Sequence, residues 1–252
     1  MKIIILAAGT GERLLPLTKK IPKALIQIKK NKTLLEIQIE NIKKSDSINE
    51  IVIVVGHFAE KIEEKIAKIK VPNIKVKIIF NPFYKISNNL VSLWMAKEEM
   101  NDEFLITNGD NIFSSQIFSD LVNFKKNRIV LTTSKKQMYN EDDMKVTISK
   151  TNNIIHVSKN INKKKISAES PGLAKISGKN NIKEFKKKLN KLVRNQENLN
   201  KFWLEVFNQL YVDGVKIENF SIEGDKNWRE VDFHPDLKEL RNIISKTSLL
   251  KN

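Results

Sequence analysis

The chain has 252 residues with 40% apolar content, enough for one sizeable core, and it has no cysteine, which excludes disulfides and thiolate metal sites. No run approaches the ~18 apolar residues of a membrane span, and the N-terminus lacks the longer apolar region of a secretory signal, so we expect a cytoplasmic protein that does not bind membranes. The formal net charge of +16 favours attraction of anionic substrates, but only five of the 45 basic residues are arginine, so we expect no nucleic-acid partner.

Predicted strands and helices alternate through the first half of the chain. Apolar runs predict strands at 3–6, 51–55, 76–80, 104–107 and 129–133, and helical spacing predicts helices at 33–44, 58–69, 89–100 and 116–124. Thr33 is predicted to cap the first helix, with Glu36 completing a capping box. This alternation predicts an α/β fold with a doubly wound, mostly parallel, Rossmann-like sheet, which binds ligands outside the carboxyl ends of its strands.

The second half of the chain is less regular. Short strands are predicted at 146–149, 154–158, 173–176 and 228–233, and helices at 181–194, 200–210 and 235–245. The short strands predict a small antiparallel C-terminal elaboration. Since no repeat and no linker rich in Pro, Gly or Ser interrupts the pattern, we predict a single domain over residues 1–252.

A segment with two glycines and several cations, LAAGTGERLLPLTKKIPKAL, follows the first predicted strand at residues 6–25. Its glycines allow backbone N–H groups to approach an anion closely. It is neither a dinucleotide loop, because Leu14 replaces the third glycine, nor a Walker loop, because Glu12 follows Gly11. Arg13 and Lys23 are candidates for two fixed cations facing a triphosphate. By spacing alone, a tight turn with two surface cations is an equally good interpretation.

This segment resembles the signature L-A-A-G-x-G-x-R-[LM]-x-P-L-T-x-x-x-P-K of the sugar-nucleotidyltransferase-like superfamily. The resemblance implies a nucleotidyltransferase fold of the GT-A-like type, with a nucleotide-binding core in residues 1–135 and an acceptor-binding part in 136–252. It implies that Arg13 contacts the phosphates and that Lys23 neutralises charge at the reacting centre, so these two are the expected catalytic residues. The remaining implied nucleotide contacts in this loop are Leu6, Ala7, Ala8, Gly9, Thr10, Gly11 and Glu12.

Two aspartates from distant segments are candidate metal ligands. Asp110 ends the "NGD" that follows a buried strand, and Asp232 lies in "REVDF" between apolar neighbours. Taken alone, an aspartate after a strand is more often a turn or cap residue, and the alternative interpretation of Asp232 is a charge on an edge strand. The resemblance implies that both hold Mg²⁺ and that Asp110 also contacts the nucleotide. Two carboxylates suit a Mg²⁺ ion whose other ligands are substrate phosphates and water.

The segment NPFYKISNNLVSLWMA resembles the pattern N-x-x-Y…NN-x-x-SL of cytidylyltransferases that act on phosphocholine and on phosphonates. This resemblance implies nucleotide contacts from Asn88, Asn89 and Ser92, and from the pair Gly56 and His57. For one of the two asparagines, a helix cap is a competing interpretation, and a lone histidine is more often a surface residue.

The segments AESPGLAKIS and NWREVDFHPDLKEL resemble the same subgroup more loosely. They imply that Glu169, Trp228 and Glu230 line the acceptor pocket, since carboxylates and aromatic faces favour an ammonium group. Trp94 and Trp203 are predicted to be core residues because of their helical apolar neighbours. The segment 134–143 has no counterpart in the family pattern.

The favoured function is therefore Mg²⁺-dependent transfer of CMP from CTP to phosphocholine, 2-aminoethylphosphonate or a similar small acceptor, with release of pyrophosphate. One alternative is a sugar-1-phosphate nucleotidyltransferase that uses UTP or another nucleotide. The other is a non-catalytic basic module for RNA or anions, whose salt-sensitive binding would survive substitution of Asp110. The combined presence of Arg13, Lys23, Asp110 and Asp232 argues against this last alternative. The acceptor and the oligomeric state stay open.

Overall fold

A computed structural model describes residues 1–29, 31–69 and 71–243. The strands are β1 (Lys2–Ala7), β2 (Gln27–Lys29), β3 (Lys32–Thr33), β4 (Glu50–Val55), β5 (Lys75–Phe80), β6 (Phe104–Asn108), β7 (Asn111–Phe113), β8 (Ile129–Ser134), β9 (Lys145–Ile148), β10 (Ile154–Ser158), β11 (Ala168–Glu169), β12 (Leu173–Ile176), β13 (Ile217–Ile222) and β14 (Trp228–Glu230). The helices are α1 (Leu34–Lys44), α2 (Ala59–Lys68), α3 (Asn89–Met95), α4 (Ser115–Asn123), α5 (Lys179–Val193), α6 (Glu205–Val212), α7 (Gly224–Asn227) and α8 (His234–Ile243).

One large sheet runs through the molecule in the order β10-β9-β11-β8-β12-β6-β1-β4-β5, with β13 beside β8. Strand β1 pairs in parallel with β4 and β6, and β4 pairs in parallel with β5. Strand β12 lies antiparallel between β6 and β8, and β9, β10 and β11 extend the same sheet in antiparallel pairs. The predicted α/β fold with a mostly parallel sheet is confirmed, and the antiparallel elaboration joins this sheet.

Helices cover both faces of the sheet, which explains why its central strands are continuous apolar runs. One core packs α3, α5 and α6 against residues such as Ile4 and Ile106. The other packs α1, α2 and α4 against residues such as Ile3 and Ile5. Trp203 is 1% exposed and Trp94 packs against the first core, as predicted. None of the helices in the described residues is long and apolar enough to cross a bilayer.

The capping box predicted at the start of α1 is present. The Thr33 hydroxyl accepts a hydrogen bond from the Glu36 backbone N–H at 3.3 Å, and the Glu36 carboxylate accepts one from the Thr33 N–H at 2.8 Å. Lys65 from α2 lies 2.7 Å from the other Glu36 oxygen. The cap therefore also ties α1 to α2, beneath the first parallel strands.

Several predicted boundaries were wrong. Helix α3 ends at Met95, after which a 3₁₀ turn covers Lys97–Glu99, and α6 begins at Glu205 instead of residue 200. The strand predicted at 228–233 ends at Glu230, so Asp232 lies beyond it. The helix predicted at 235–245 is described as His234–Ile243, and positions 244 and 245 lie outside the described residues.

Candidate active site

The segment after β1 is a loop of short 3₁₀ turns whose shape depends on Gly11. Gly11 has a φ of +67°, and a Cβ there would lie 3.0 Å from Thr18 Cγ2 and 3.1 Å from Lys23 Cβ. The Thr18 hydroxyl donates to the Gly11 carbonyl at 2.8 Å, which closes the loop. Glycine is favoured here because it adopts this conformation without strain and leaves room for the lysine stem. The loop thereby brings Lys23 back towards the end of β1.

Lys23 lies at the centre of a charged cluster. Its Nζ donates to Asp110 Oδ2 at 2.9 Å and to Asp232 Oδ1 at 2.9 Å. Arg13 donates to the second oxygen of Asp232 and, at 3.1 Å, to Asp142 Oδ1. The two cations and two carboxylates singled out in the sequence are thus brought together. Asp142, in the segment for which the family pattern gave no counterpart, is an additional member.

A short antiparallel pair of strands holds the two aspartates in place. Strand β14 pairs with β7, with Glu230 opposite Asn111. Beyond the pair, the Val231 N–H donates to the Asp110 carbonyl at 2.9 Å. The Asp232 N–H donates to the Asp236 carboxylate at 2.9 Å, at the start of α8. Backbone pairing therefore positions two carboxylates that are 122 residues apart in the chain.

The cluster keeps its members charged. Burial disfavours the charged form of Lys23, but Asp110 and Asp232 outweigh it and raise the lysine pKa. Burial also acts against Asp232, yet Lys23 and Arg13 lower the pKa of its carboxyl. The pKa of Arg13 is raised for the same reason, chiefly by Asp232 against its own desolvation. The site therefore carries fixed charges of both signs at neutral pH.

The cluster forms part of the wall of a cavity of about 1600 Å³. This volume exceeds the ~300–1,000 Å³ of common single-ligand pockets. The other predicted residues on its wall are Leu6, Ala7, Ala8, Gly9, Thr10, Gly11, Glu12, Asn88, Asn89, Ser92, Glu169, Trp228 and Glu230. The cavity opens at the carboxyl ends of β1 and β6, where a doubly wound sheet is expected to bind its ligand.

Gly56 and His57 are not part of this wall. A Cβ on Gly56 would lie 2.6 Å from Tyr84 Cβ and 2.7 Å from the Ala8 carbonyl. The His57 N–H donates to that same carbonyl at 3.1 Å, and its ring lies tilted against those of Phe58 and Tyr84. The pair therefore supports Ala8 and Tyr84, both of which do line the cavity. A direct contact with the nucleotide base stays a prediction.

The asparagine pair has structural partners as well as a place on the cavity wall. Asn88 caps α3 by accepting from the Asn89 N–H at 2.7 Å, as its alternative interpretation proposed. Asn89 Oδ1 accepts from the Trp203 N–H at 2.8 Å. The Ser92 hydroxyl accepts from the Asn81 side chain at 3.1 Å.

The residues predicted for the acceptor lie on the wall with different neighbours. Trp228 stacks on Phe113 with 6.3 Å between ring centres. Glu169 is buried and its carboxylate is 2.7 Å from Lys136 Nζ, a contact that no sequence signal indicated. Glu230 is open to the cavity but lies deep in the cleft, where burial and the charge of Asp110, opposed by Lys23, raise its pKa to about 8.

The donor set around Lys23 fits a hard cation. Asp110 Oδ1 is buried and has no hydrogen-bond partner, so it is available as a ligand. The described residues hold no group of three or more acidic, histidine or cysteine side chains arranged for a metal. Mg²⁺ commonly takes one or two protein carboxylates and completes its shell with waters and substrate phosphates. Asp110 and Asp232 match that requirement.

The sequence is similar to a nucleotidyl transferase family and to several characterised proteins. The sequence model for the family described as "Nucleotidyl transferase" matches residues 2–141. A choline-phosphate cytidylyltransferase of Streptococcus pneumoniae is 40% identical over 121 residues, which cover 48% of this chain and 50% of the relative. A CTP:phosphoglutamine cytidylyltransferase of Campylobacter jejuni is 28% identical over 94% of this chain and 98% of its own. A bifunctional protein GlmU of Methanocaldococcus jannaschii is 28% identical over all of this chain, which spans 58% of that relative.

Solved structures share the fold. The CTP:phosphocholine cytidylyltransferase of Streptococcus pneumoniae superposes with a TM-score of 0.74 and 25% identity, covering 96% of this chain and 98% of its own. The inositol-1-phosphate CTP transferase of T. maritima superposes with a TM-score of 0.76 over 97% of this chain and 96% of its own. Its sequence is 19% identical, so this match shows a shared fold only.

Proposed function

Because the chain belongs to the nucleotidyl transferase family, we propose that it is a cytidylyltransferase that transfers CMP from CTP to a small phosphate or phosphonate acceptor. The observation that carries this proposal is the convergence of Arg13, Lys23, Asp110 and Asp232 on one cavity wall. The Campylobacter relative supports the choice of CTP, since its alignment covers 94% of this chain.

The proposed reaction needs alignment and charge neutralisation more than proton transfer. An oxygen of the acceptor phosphate attacks the α-phosphorus of CTP, the new oxygen–phosphorus bond forms, and the bond to the β-phosphate oxygen breaks to release pyrophosphate. The attacking oxygen is already anionic, so no general base is required. Fixed cations aimed at the developing charge then account for the rate.

The residues of this chain divide between these tasks. Lys23 lies behind the glycine loop, where it would neutralise charge at the α-phosphate, and Arg13, nearer the opening, would bind the leaving pyrophosphate. Both cations are held by carboxylates, so they are oriented before a phosphate arrives. The backbone of residues 6–12 would contact the nucleotide.

We also propose that Asp110 and Asp232 hold Mg²⁺ during catalysis. Both are oxygen donors, and one oxygen of Asp110 lacks any partner. When bound, the ion would supply further neutralisation of phosphate charge. The same two carboxylates orient Lys23, so they contribute to the site with or without the ion.

The decisive experiment measures pyrophosphate release from CTP, UTP and the other common nucleoside triphosphates. Each nucleotide is paired in turn with phosphate, phosphonate and sugar-1-phosphate acceptors. We expect CTP with a small non-sugar acceptor to give the fastest release. Asp110→Asn should strongly lower this release at the Mg²⁺ concentration that saturates the wild type, whereas Asp102→Asn, exposed at the opposite end of β6, should not. No release with any pair, together with RNA binding that survives Asp110→Asn, would overturn the proposal.

A second candidate is a sugar-1-phosphate nucleotidyltransferase. It is favoured by a bifunctional sugar-1-phosphate nucleotidylyltransferase/acetyltransferase of Sulfurisphaera tokodaii, which is 36% identical over 52% of this chain and 30% of its own length. The same panel separates the two, because this candidate requires a sugar-1-phosphate to be the fastest acceptor with UTP or another nucleotide.

A further inference from the structure

The side-chain ammonium group of Lys136 forms part of the cavity wall. Its Nζ lies 2.7 Å from Asp143 Oδ2 and 2.7 Å from Glu169 Oε2. The same Nζ is 5.8 Å from the centre of the Tyr139 ring. Two carboxylates and an aromatic face form the kind of surroundings that recognise an ammonium group in a ligand. Here a side chain of the protein already occupies them.

Lys136 neutralises two carboxylates of the cavity wall, those of Glu169 and Asp143. Glu169 is 7% exposed, and burial raises the pKa of its carboxyl while Lys136 opposes that shift. Asp143 is held next to it, since its carboxylate accepts from the Asn140 N–H at 2.6 Å. Among the residues that the structure describes, Lys136 is the only cation paired with either carboxylate. Without it, two shielded negative charges would face each other.

The geometry points to Lys136 as a residue that determines acceptor specificity: its ammonium takes the place of a cationic acceptor group, so the acceptor carries an uncharged polar group beyond its phosphate. This inference rests on the proposed function, and it disfavours the ammonium-bearing acceptors that the sequence favoured.

Each class of acceptor meets a different environment at this wall. A cationic group meets the like charge of Lys136 and two carboxylates that are already paired. An anionic group meets Asp143 and Glu169 themselves, and like charges brought together in this way are strongly disfavoured. A hydroxyl or amide group donates to the remaining carboxylate lone pairs and accepts from the lysine. Only the uncharged polar class is matched.

Glu230 is a further carboxylate on the cavity wall, but it does not provide a binding site for a cationic acceptor group beside Lys136. Glu230 lies opposite Asn111 in the pair of β14 and β7, and the next residue, Val231, donates its N–H to the Asp110 carbonyl at 2.9 Å. Glu230 therefore belongs to the end of the cavity where Lys23 and the two aspartates lie. The acceptor phosphate has to reach that end to react, which leaves Lys136 facing the remainder of the acceptor.

The test uses three acceptors of matched size that differ only in the terminal group. These are 2-hydroxyethyl phosphate, 2-aminoethyl phosphate and carboxymethyl phosphate, each with saturating CTP and Mg²⁺. For the wild type we expect kcat/KM to be about 10–100-fold higher with the hydroxyl than with either charged group. Lys136→Met should raise kcat/KM for 2-aminoethyl phosphate relative to kcat/KM for 2-hydroxyethyl phosphate by at least about tenfold, because it leaves the two carboxylates free to bind the amino group.

Three variants serve as controls. Lys136→Arg keeps the charge and should keep the wild-type order of acceptors. Lys150→Met removes an exposed lysine that does not line the cavity and should change no ratio. Glu169→Gln removes one carboxylate and should raise relative use of carboxymethyl phosphate, so the inference is testable even if Lys136→Met unfolds.

The possible failures are distinguishable. If the wild type prefers 2-aminoethyl phosphate and neither Lys136→Met nor Glu169→Gln alters the ratios, the specificity inference is wrong while the proposed function holds. If no acceptor of the full panel releases pyrophosphate from any nucleotide, the proposed function is wrong and the inference is overturned with it.

Discussion

Replacing Lys23 with methionine tests the centre of the proposed site. Methionine keeps the length and packing of the stem but removes an ammonium that donates two 2.9 Å hydrogen bonds to carboxylates. Loss of one preorganised charge contact typically lowers kcat by about 10²–10³, or about 2.7–4 kcal/mol. We expect a decrease of that size in the rate of pyrophosphate release from CTP.

The same change should also lower stability by a smaller amount. Lys23 is 14% exposed and its two partners are about a quarter exposed, so solvent screens the cluster only in part. Arg13 still pairs with Asp232 in the variant, whereas Asp110 loses its cation. Breaking a fully buried pair costs about 3–5 kcal/mol, and we expect about 2 kcal/mol for this more open one. The melting temperature of the variant should therefore be about 4–8 °C lower than that of the wild type.

The assay separates these two effects. Pyrophosphate release is measured well below the melting temperature of the variant, with folding checked by circular dichroism. Lys19→Met is the matched control, because Lys19 is exposed in the same segment and does not line the cavity. A folded Lys23→Met protein that retains more than a tenth of the wild-type rate would refute the role assigned to this lysine.

Three further perturbations address the loop, the helix cap and the metal. Gly11→Ala places a Cβ 3.0 Å from Thr18 at a φ of +67° and should cost about 1–3 kcal/mol in urea unfolding; Gly9→Ala, whose Cβ would meet nothing within 4 Å, should unfold like the wild type. Burial opposes the charge of Glu36, but its bonds lower its pKa, so its contribution is complete above the ordinary value of 4.5 and is lost as pH falls through the lowered pKa. Glu36→Gln keeps an oxygen that can accept from the Thr33 N–H but loses the charge that faces Lys65. It should therefore cost about 1 kcal/mol at neutral pH and much less in acid; an equal cost at both would contradict the role of this charge. A chelator should stop pyrophosphate release until Mg²⁺ is restored, and Asp110→Asn should raise the Mg²⁺ needed at least about tenfold; release that is insensitive to the chelator would exclude the metal.

Local patterns predicted the parts of the fold that depend on neighbouring residues. The apolar run at 3–6 became the buried strand β1, and Thr33 with Glu36 formed the expected cap, because both signals lie within a few residues. The three-residue strand β7 was not predicted, and β14 was predicted only as part of a longer strand at 228–233. Each is too short for a periodicity, and each exists because the other pairs with it across more than a hundred residues.

The meeting of the charged residues was predictable where their segments resemble family motifs, and not where it depends on a loop without such a motif. Lys23, Asp110 and Asp232 meet as their motifs indicated. Asp142 and Lys136 stand in a segment without apolar periodicity, so nothing local showed that one would bond to Arg13 and the other to Glu169. These contacts arise only when β8 and β9 bring the segment across the cavity opening.

The two cations of the site already have carboxylate partners, so nucleotide binding has to be an exchange of partners. Arg13 is bonded to Asp142 and Asp232, and Lys23 to Asp110 and Asp232. If a triphosphate drew both cations away, these carboxylates would be left unpaired beside further negative charge, which is strongly unfavourable in a shielded site. Oxygen donors released in this way are those that a divalent cation arriving with the nucleotide requires. This charge balance is a physical reason to expect that CTP and Mg²⁺ bind together, even though the protein as a whole is strongly basic.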